Sequence, residues 1–316
     1  MDTARLCDIL QHEEQNFASA VITILTGDVG SLISLLFAHP SLIVARSNAP
    51  HRCTLLHYIA ANGIEDDLQH TTPNATKITT ILLDAGAEVD ALCSTYGGGR
   101  LQTPLNLLVS SIHPHKAGVQ ADLVNLLCKA GALVNGLDDN GSPLATALAF
   151  GYPKAAAALI HHGARIDNLV FAAAAGDLQQ VQSYFTPEKT LRPSVGHCDV
   201  GWFQTDPGPA VAAEQALVFA CMTGQLQAAR FLLEHGVSIN ACPPGSQVTA
   251  TPLHTAAWQG NRRVVTFLLE HGADPTLKDH NHHATPAGWA HHAGFNTLAK
   301  FIDHHTRTPI PAPGRP

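Results

Sequence analysis

Residues 251–279 read TPLHTAAWQGNRRVVTFLLEHGADPTLKD, and this stretch decides the fold expected for the whole chain. Thr251-Pro252 opens a first helix, because proline fits the first helical turn, where its missing N–H would be unpaired anyway. Gly260 and Gly272 fall where helices must end and the backbone needs positive φ. The stretch therefore predicts two short helices and a turn, a unit too small to bury its apolar face alone.

The same unit recurs along the chain when the sequence is aligned on the helix-ending glycine. About eight copies begin near residues 17, 54, 103, 142, 168, 215, 251 and 285. In order and spacing the unit resembles an ankyrin repeat, and the resemblance covers residues 17–303. It implies an all-α ankyrin-repeat solenoid of stacked helix-turn-helix units with finger loops between them.

The repeats and their flanks predict the domain organisation. We expect one ankyrin-repeat domain over residues 1–303, in which residues 1–16 form a polar N-terminal capping helix. Residues 186–213 are expected to be an insertion loop that replaces a finger. The Pro-rich residues 304–316 have no core to join and are expected to be disordered.

Composition narrows the class of protein. The chain has 316 residues, 45% hydrophobic and 14% charged, with a net charge of −7. No basic run exceeds Arg262-Arg263, which argues against nucleic acid as a partner. No signal pattern or long apolar stretch is present, so we expect a cytoplasmic protein that does not bind membranes. The seven scattered cysteines are expected to be buried as small hydrophobes, without disulfides.

The insertion at 186–213 is the most informative departure from the repeat pattern. It contains Trp202 and Phe203, whose exposure to water would forfeit about 1.5–3 kcal/mol each. The loop is either a structural patch over a gap left by a lost finger or a lid over a ligand groove. Both interpretations stay open from the sequence, and Trp202 and Phe203 are candidates for binding a partner or ligand.

The resemblance also implies which residues face the groove, namely the two positions before each helix-ending glycine. In this chain the pairs begin with Leu25 and Ala61 and carry no charge. Small residues in the middle are flanked by larger ones, which suits an apolar ligand or a partner helix or loop. The candidate binding residues from this set are Phe150, Met222, Trp258, Gln259 and His292.

The finger at 93–102 supplies two further candidates, Tyr96 and Arg100. Its Gly97–Gly99 run is typical of a flexible tip, although an anion nest is the alternative. No lysine followed by serine or threonine completes a phosphate loop. The finger is therefore assigned to partner contact.

The chain has 20 histidines, a residue type that can act as a metal ligand or a catalyst. The resemblance implies that His57 and His254 bond to neighbouring turn backbone. A group at residues 280–283 and 291–292 has the donor type that a divalent metal needs, but no acidic or Cys ligand joins it at a standard spacing. His197, Cys198 and Asp199 are consecutive, so they do not by themselves form a nucleophile, a base and an orienting group. We therefore predict no metal and no cofactor.

Two functions follow. The first is a non-enzymatic adaptor that binds a protein partner through its groove and fingers. The alternative is a small-molecule-binding protein or atypical enzyme with a site between the groove and the 186–213 insertion. In that case His197 or Asp199 would be the acid or base.

Overall fold

The computed structural model describes residues 3–95, 101–195, 199–200, 203–204, 208–244 and 249–307. Of the sequence-predicted binding residues, Tyr96, Arg100 and Trp202 lie outside these ranges. The chain groups into two compact units. The first comprises Met1–Ala147 and Lys154–Ala164, and the second comprises Leu148–Pro153 and Arg165–Pro316.

The first unit is built from short helices, most of them in pairs. In chain order, the helices that begin before residue 165 are α1 (Thr3–Ile9), α2 (Gln15–Thr26), α3 (Val29–Ala38), α4 (Leu55–Tyr58), α5 (Ala75–Asp84), α6 (Pro104–Leu108), α7 (Ile112–Lys116), α8 (Gln120–Lys129), α9 (Ser142–Ala149) and α10 (Pro153–His161). Two 3-10 helices, Pro40–Ile43 and Asp66–Leu68, lie between them.

Helix ends in the first unit follow the signals in the sequence. Glu14 caps α2 by accepting a hydrogen bond from the Phe17 N–H at 3.0 Å. Gly27 ends the same helix at φ +78°, a left-handed conformation that glycine adopts without steric cost. The capping helix α1 is not polar throughout, because Leu6 is fully buried and packs into the core. α7 is a short additional helix that lies between α6 and α8.

The second unit also consists of helix pairs. Its helices are α11 (Leu169–Ala175), α12 (Leu178–Ser183), α13 (Pro209–Thr223), α14 (Leu226–Glu234), α15 (Pro252–Trp258), α16 (Arg262–Glu270), α17 (Pro286–His292) and α18 (Asn296–Arg307). Two strands of two residues each, Asp199–Val200 and Phe203–Gln204, pair antiparallel within the insertion. The fold is all-α, as the sequence predicted.

Two predicted boundaries in the second unit were wrong. α13 begins at Pro209, inside the predicted loop 186–213, because proline occupies its first turn and an alanine-rich, mostly buried run follows. α18 continues to Arg307, inside the predicted disordered tail. Near its end, His305 Nδ1 lies 2.7 Å from the Phe301 carbonyl oxygen, and the Arg262 guanidinium lies 3.9 Å from the Phe301 ring centre.

The prediction of a single domain over residues 1–303 stays a prediction. Within the described part of the chain, no helix is both long enough and apolar enough to cross a bilayer.

Candidate functional site

A cavity of about 570 Å³ opens in the second unit. Its walls come from α13, α15 and α17, from the turn after α9, and from the finger before α17. The residues that line it are Ala149, Phe150, Gly151, Met222, Thr255, Trp258, His282, Ala284, Gly288, Trp289, His291 and His292. Among the described residues, the lining includes no Asp, Glu, Lys or Arg, so it is apolar and aromatic with imidazoles.

Trp258 lies at the centre of the aromatic wall. Its ring centroid is 5.8 Å from that of Trp289, with the ring planes at 75°. On another side Trp258 stacks on His292, with centroids 5.8 Å apart and planes at 19°. Both arrangements are favourable for aromatic pairs. Trp258 therefore stands in a fixed orientation and is half-buried.

The local sequence explains why Trp258 is presented in this way. Thr251 caps α15, Pro252 occupies its first turn, and the small side chains of Ala256 and Ala257 are fully buried. Trp258 follows them as the last residue of the helix, and Gly260 turns the chain away at φ +65°.

Gly151 lines the cavity, and its carbonyl oxygen accepts a long-range hydrogen bond from Gln259, which we call the floor bond. The side-chain amide of Gln259 donates to the Gly151 carbonyl oxygen at 2.7 Å, joining residues that are 108 positions apart. Gly151 has φ +74°, and a Cβ there would lie 3.6 Å from Gln259 Nε2 and 3.9 Å from the Met222 sulfur. These are ordinary contact distances, so the positive φ, and not a lack of space, is what requires glycine here. Phe150 next to it stacks on Tyr152, with centroids 6.2 Å apart.

The finger before α17 is organised by Asp279, which is 1% exposed. Its carboxylate accepts hydrogen bonds from the backbone N–H groups of Asn281, His282 and Ala284 and from the Trp289 indole, at 2.6–3.0 Å. Burial alone would raise the pKa of Asp279, but these hydrogen bonds lower it to about 2. The ionised carboxylate therefore fixes both the finger and one wall of the cavity.

His254 completes this support. Its Nδ1 lies 2.8 Å from Thr251 Oγ1, and its Nε2 lies 3.0 Å from the Ala284 carbonyl oxygen. Burial lowers the pKa of His254, which favours the neutral imidazole. The expected bond to neighbouring turn backbone is present.

The structure brings most of the predicted binding residues to one place. Four of them line the cavity, namely Phe150, Met222, Trp258 and His292. A fifth, Gln259, donates the floor bond to the Gly151 carbonyl oxygen. Phe203 lies on the second of the two short strands, and its side chain lies outside the described part. That these residues bind a partner stays a prediction.

The position rule for groove residues was only partly right. Leu25 and Ala61, which it placed in the groove, are at most 1% exposed. α4 ends at Tyr58, and Ala61 follows with φ +47°, so it is no longer on a helix face. Trp289 and Thr255 were missed, although each lies five positions before a helix-ending glycine, and that shared spacing was a usable signal.

The other predicted clusters lie partly in the cavity lining and partly outside it or outside the described residues. His280 and His283 are exposed on the finger, while His282 lines the cavity. The backbone of Asp199 lies on the first short strand, but His197 and Cys198 lie outside the described ranges.

Comparison with known proteins gives one family match. Residues 169–279 match the family model of ankyrin repeats, in three copies. The chain is 29% identical over 224 residues to the ankyrin repeat and KH domain-containing protein mask-1 of Caenorhabditis elegans, covering 64% of this chain and 8% of that protein.

Two shorter matches have higher identity. Palmitoyltransferase AKR1 of Lachancea kluyveri is 41% identical over 63 residues, which is 20% of this chain and 8% of that protein. Palmitoyltransferase ZDHHC13 of Mus musculus is 40% identical over 63 residues, which is 20% of this chain and 10% of that protein. The chain thus matches a small part of each of these relatives.

Proposed function

Since residues 169–279 of this chain are ankyrin repeats, which generally mediate contacts between proteins, we propose that it is an interaction module for a protein partner. The partner inserts an apolar side chain, carried on a helix or loop, into the cavity beside Trp258 and Trp289. The observation that carries this proposal is the apolar and aromatic lining of the cavity, in which the described residues include no Asp, Glu, Lys or Arg.

The energetics of interfaces support this use of the cavity. Tryptophan in a well-packed pocket is a frequent hot spot, because it buries a large area with few rotatable bonds. Trp258 and Trp289 are held in place by each other, by His292 and by the Asp279 carboxylate, so little side-chain freedom is lost on binding. A preorganised apolar pocket of this kind suits one anchoring side chain of a partner.

The repeat match also supports this function over the alternative of a small-molecule-binding protein or an atypical enzyme. A carboxylate close to the cavity, that of Asp279, is already used by four hydrogen bonds within the protein. The hydroxyl of Thr255 donates toward the carbonyl oxygens of Val218 and Pro252. These polar groups serve the fold.

The test compares the wild-type chain with Trp258→Ala and with a control, Phe37→Ala. Phe37 is an aromatic residue of the first unit, 88% exposed. Quantitative affinity capture identifies proteins that bind the wild type, and each is then purified and titrated by calorimetry. We expect Trp258→Ala to raise Kd at least about tenfold, while Phe37→Ala leaves it unchanged. Equal Kd values for Trp258→Ala and wild type would exclude the cavity as the binding surface.

A further inference from the structure

A buried cluster of three side chains in the first unit, Cys53, His57 and Cys93, is separate from the cavity. The two Sγ atoms and a ring nitrogen of the histidine all lie within 4.8 Å of one another. Each of the three residues is at most 1% exposed. The sequence predicted the cysteines as isolated core hydrophobes, whereas the fold brings two of them together beside an imidazole.

Backbone hydrogen bonds hold both cysteines in place. The Cys53 carbonyl oxygen accepts from the Ser47 N–H at 2.8 Å, and the Cys53 N–H donates to His51 Nδ1 at 3.1 Å. Cys93 and Gln102 exchange two backbone hydrogen bonds, each 3.0 Å long. These bonds fix the main chain on both sides of the cluster, and the Cys93 thiol itself donates toward the Gln102 carbonyl oxygen at 3.5 Å.

The histidine of the cluster lacks a contact that its counterpart makes. In both repeats Nδ1 lies 2.8 Å from the capping threonine hydroxyl, Thr54 for His57 and Thr251 for His254. His254 Nε2 then meets the Ala284 carbonyl oxygen at 3.0 Å. Among the described residues, His57 Nε2 has no hydrogen-bond partner although the side chain is fully buried. A buried polar atom without a partner is unfavourable and calls for an explanation.

The two repeats differ at the positions that supply sulfur. Where the first has Cys53 before its threonine, the other has Ala250. In the finger, the Cys93 N–H donates to the carbonyl oxygen of Gln102, the residue before Thr103. In the other copy Asp279 has the same position, because its N–H donates to the carbonyl oxygen of Ala284, the residue before Thr285. Both thiols thus belong to the copy whose histidine nitrogen is unsatisfied.

We propose that Cys53, Cys93 and His57 bind a zinc ion. Thiolate and imidazole are the donors that Zn²⁺ prefers, and two thiolates neutralise its charge, which matters in a site that excludes bulk water. Two sulfur atoms at about 2.3 Å from a tetrahedral ion are about 3.8 Å apart, within the limit that the structure sets. Three protein ligands would leave the fourth position of a tetrahedral ion to a water molecule.

Zinc binding selects one tautomer of His57. With Nε2 on the metal, Nδ1 carries the ring proton and donates a hydrogen bond to Thr54 Oγ1. A zinc-bound histidine typically makes such a second contact through its other nitrogen. In the structure the Thr54 N–H donates to Nδ1 at 3.0 Å, and it loses this acceptor when Nδ1 carries a proton. This loss is small beside the binding free energy of a structural zinc ion. The ion connects the finger that carries Cys93 to the start of α4 and so stabilises the first unit.

The test measures zinc in the 316-residue chain prepared with zinc and then dialysed against a moderate chelator. The variants are Cys53→Ala and Cys93→Ala, and the matched control is Cys221→Ala, which removes a fully buried thiol from the second unit. Because the chain has 20 histidines, cobalt substitution is measured in parallel. A sulfur-to-cobalt charge-transfer band distinguishes thiolate ligation from binding to surface imidazoles.

We expect one zinc per chain and the sulfur band in the wild type and in Cys221→Ala. Each cluster variant should bind zinc at least about tenfold more weakly and lose the band. A chelator should also lower the Tm of the wild type, a readout that needs no variant. The proposal is overturned if the zinc content is the same in all four proteins, or if the wild type takes up none. It is also overturned if the intact mass is lower by two hydrogen atoms because Cys53 and Cys93 form a disulfide.

Discussion

The Trp289 indole donates a hydrogen bond to Asp279 Oδ2 at 3.0 Å, so one wall of the cavity depends on a buried carboxylate. Three backbone N–H groups of the finger converge on the same side chain. The hydrogen bonds outweigh the effect of burial and hold the pKa of Asp279 at about 2, below its ordinary value of 3.8.

This pKa predicts how stability depends on pH. Because the folded-state pKa is lower than the unfolded-state value, ionised Asp279 stabilises the fold by about 2 kcal/mol above about pH 4. That contribution is lost as the pH falls from about 4 to about 2. Asp279→Asn should therefore be less stable than wild type by about 2 kcal/mol near neutral pH, and the difference should vanish near pH 2.

Urea unfolding of both proteins across this pH range measures the difference directly. Histidines distant from Asp279 affect wild type and variant alike and cancel, whereas His254 interacts with the Asp279 charge, so its contribution to the difference also disappears once Asp279 is protonated. A stability difference that does not change between neutral pH and about pH 2 would mean that the carboxylate charge contributes nothing.

Two helix-ending glycines give a matched pair of substitutions. Gly260 and Gly272 have φ of +65° and +92°, so alanine at either position costs about 1–2 kcal/mol in backbone strain. At Gly260 a Cβ would also lie 2.6 Å from the ring of Phe295, whereas at Gly272 no atom lies within 4 Å. We expect Gly260→Ala to lower the free energy of unfolding by at least about 1 kcal/mol more than Gly272→Ala. Equal losses in chemical denaturation would show that Phe295 moves aside freely.

The repeat signals in the sequence predicted these helix ends because they are local. Proline at a first turn, a capping threonine and a glycine at positive φ each act within a few residues. The same signals placed Trp258 at the end of α15 and Met222 near the end of α13, which is why both were found as cavity residues.

Features that depend on distant contacts could not be predicted in this way. The bond from Gln259 to Gly151 joins different repeats, and no pattern in either segment specifies the partner. The same holds for Cys53 and Cys93, which look like isolated thiols until a finger folds back to the next helix. The early start of α13 was missed because Pro209 was read as part of a loop, although proline is equally compatible with a first helical turn.

Removing the floor bond between Gln259 and Gly151 should lower the free energy of unfolding by a small amount. Gln259→Ala deletes a half-buried hydrogen bond to the Gly151 carbonyl oxygen, so we expect a loss of about 1 kcal/mol in unfolding free energy. Gln182→Ala, at an exposed position of α12, should change stability by less than about 0.5 kcal/mol. Equilibrium denaturation of both variants gives the comparison, and equal values would show that the floor bond is not stabilising.

Two adjacent carboxylates near the N-terminus, Glu13 and Glu14, should contribute differently to stability. Glu13 has a side chain that is 1% exposed, accepts a hydrogen bond from the Asn48 N–H at 2.8 Å, and also contacts the Ser47 hydroxyl. Glu14 instead caps α2 through the Phe17 N–H. Removing Glu13 leaves two donors without their charged acceptor, which costs more than losing a cap at a helix end.

We expect Glu13→Ala to lower the free energy of unfolding by about 2–3 kcal/mol and Glu14→Ala by about 1 kcal/mol. Hydrogen exchange adds a local readout, since the Asn48 amide loses its acceptor in the first variant and keeps it in the second. It should therefore exchange faster in Glu13→Ala and at the wild-type rate in Glu14→Ala. If Asn48 stayed equally protected in both variants, Glu13 would not be what holds the turn after residue 46, and other contacts, such as the Arg5–Asp67 ion pair and the packing of Leu6 and Leu10, would anchor the N-terminal segment.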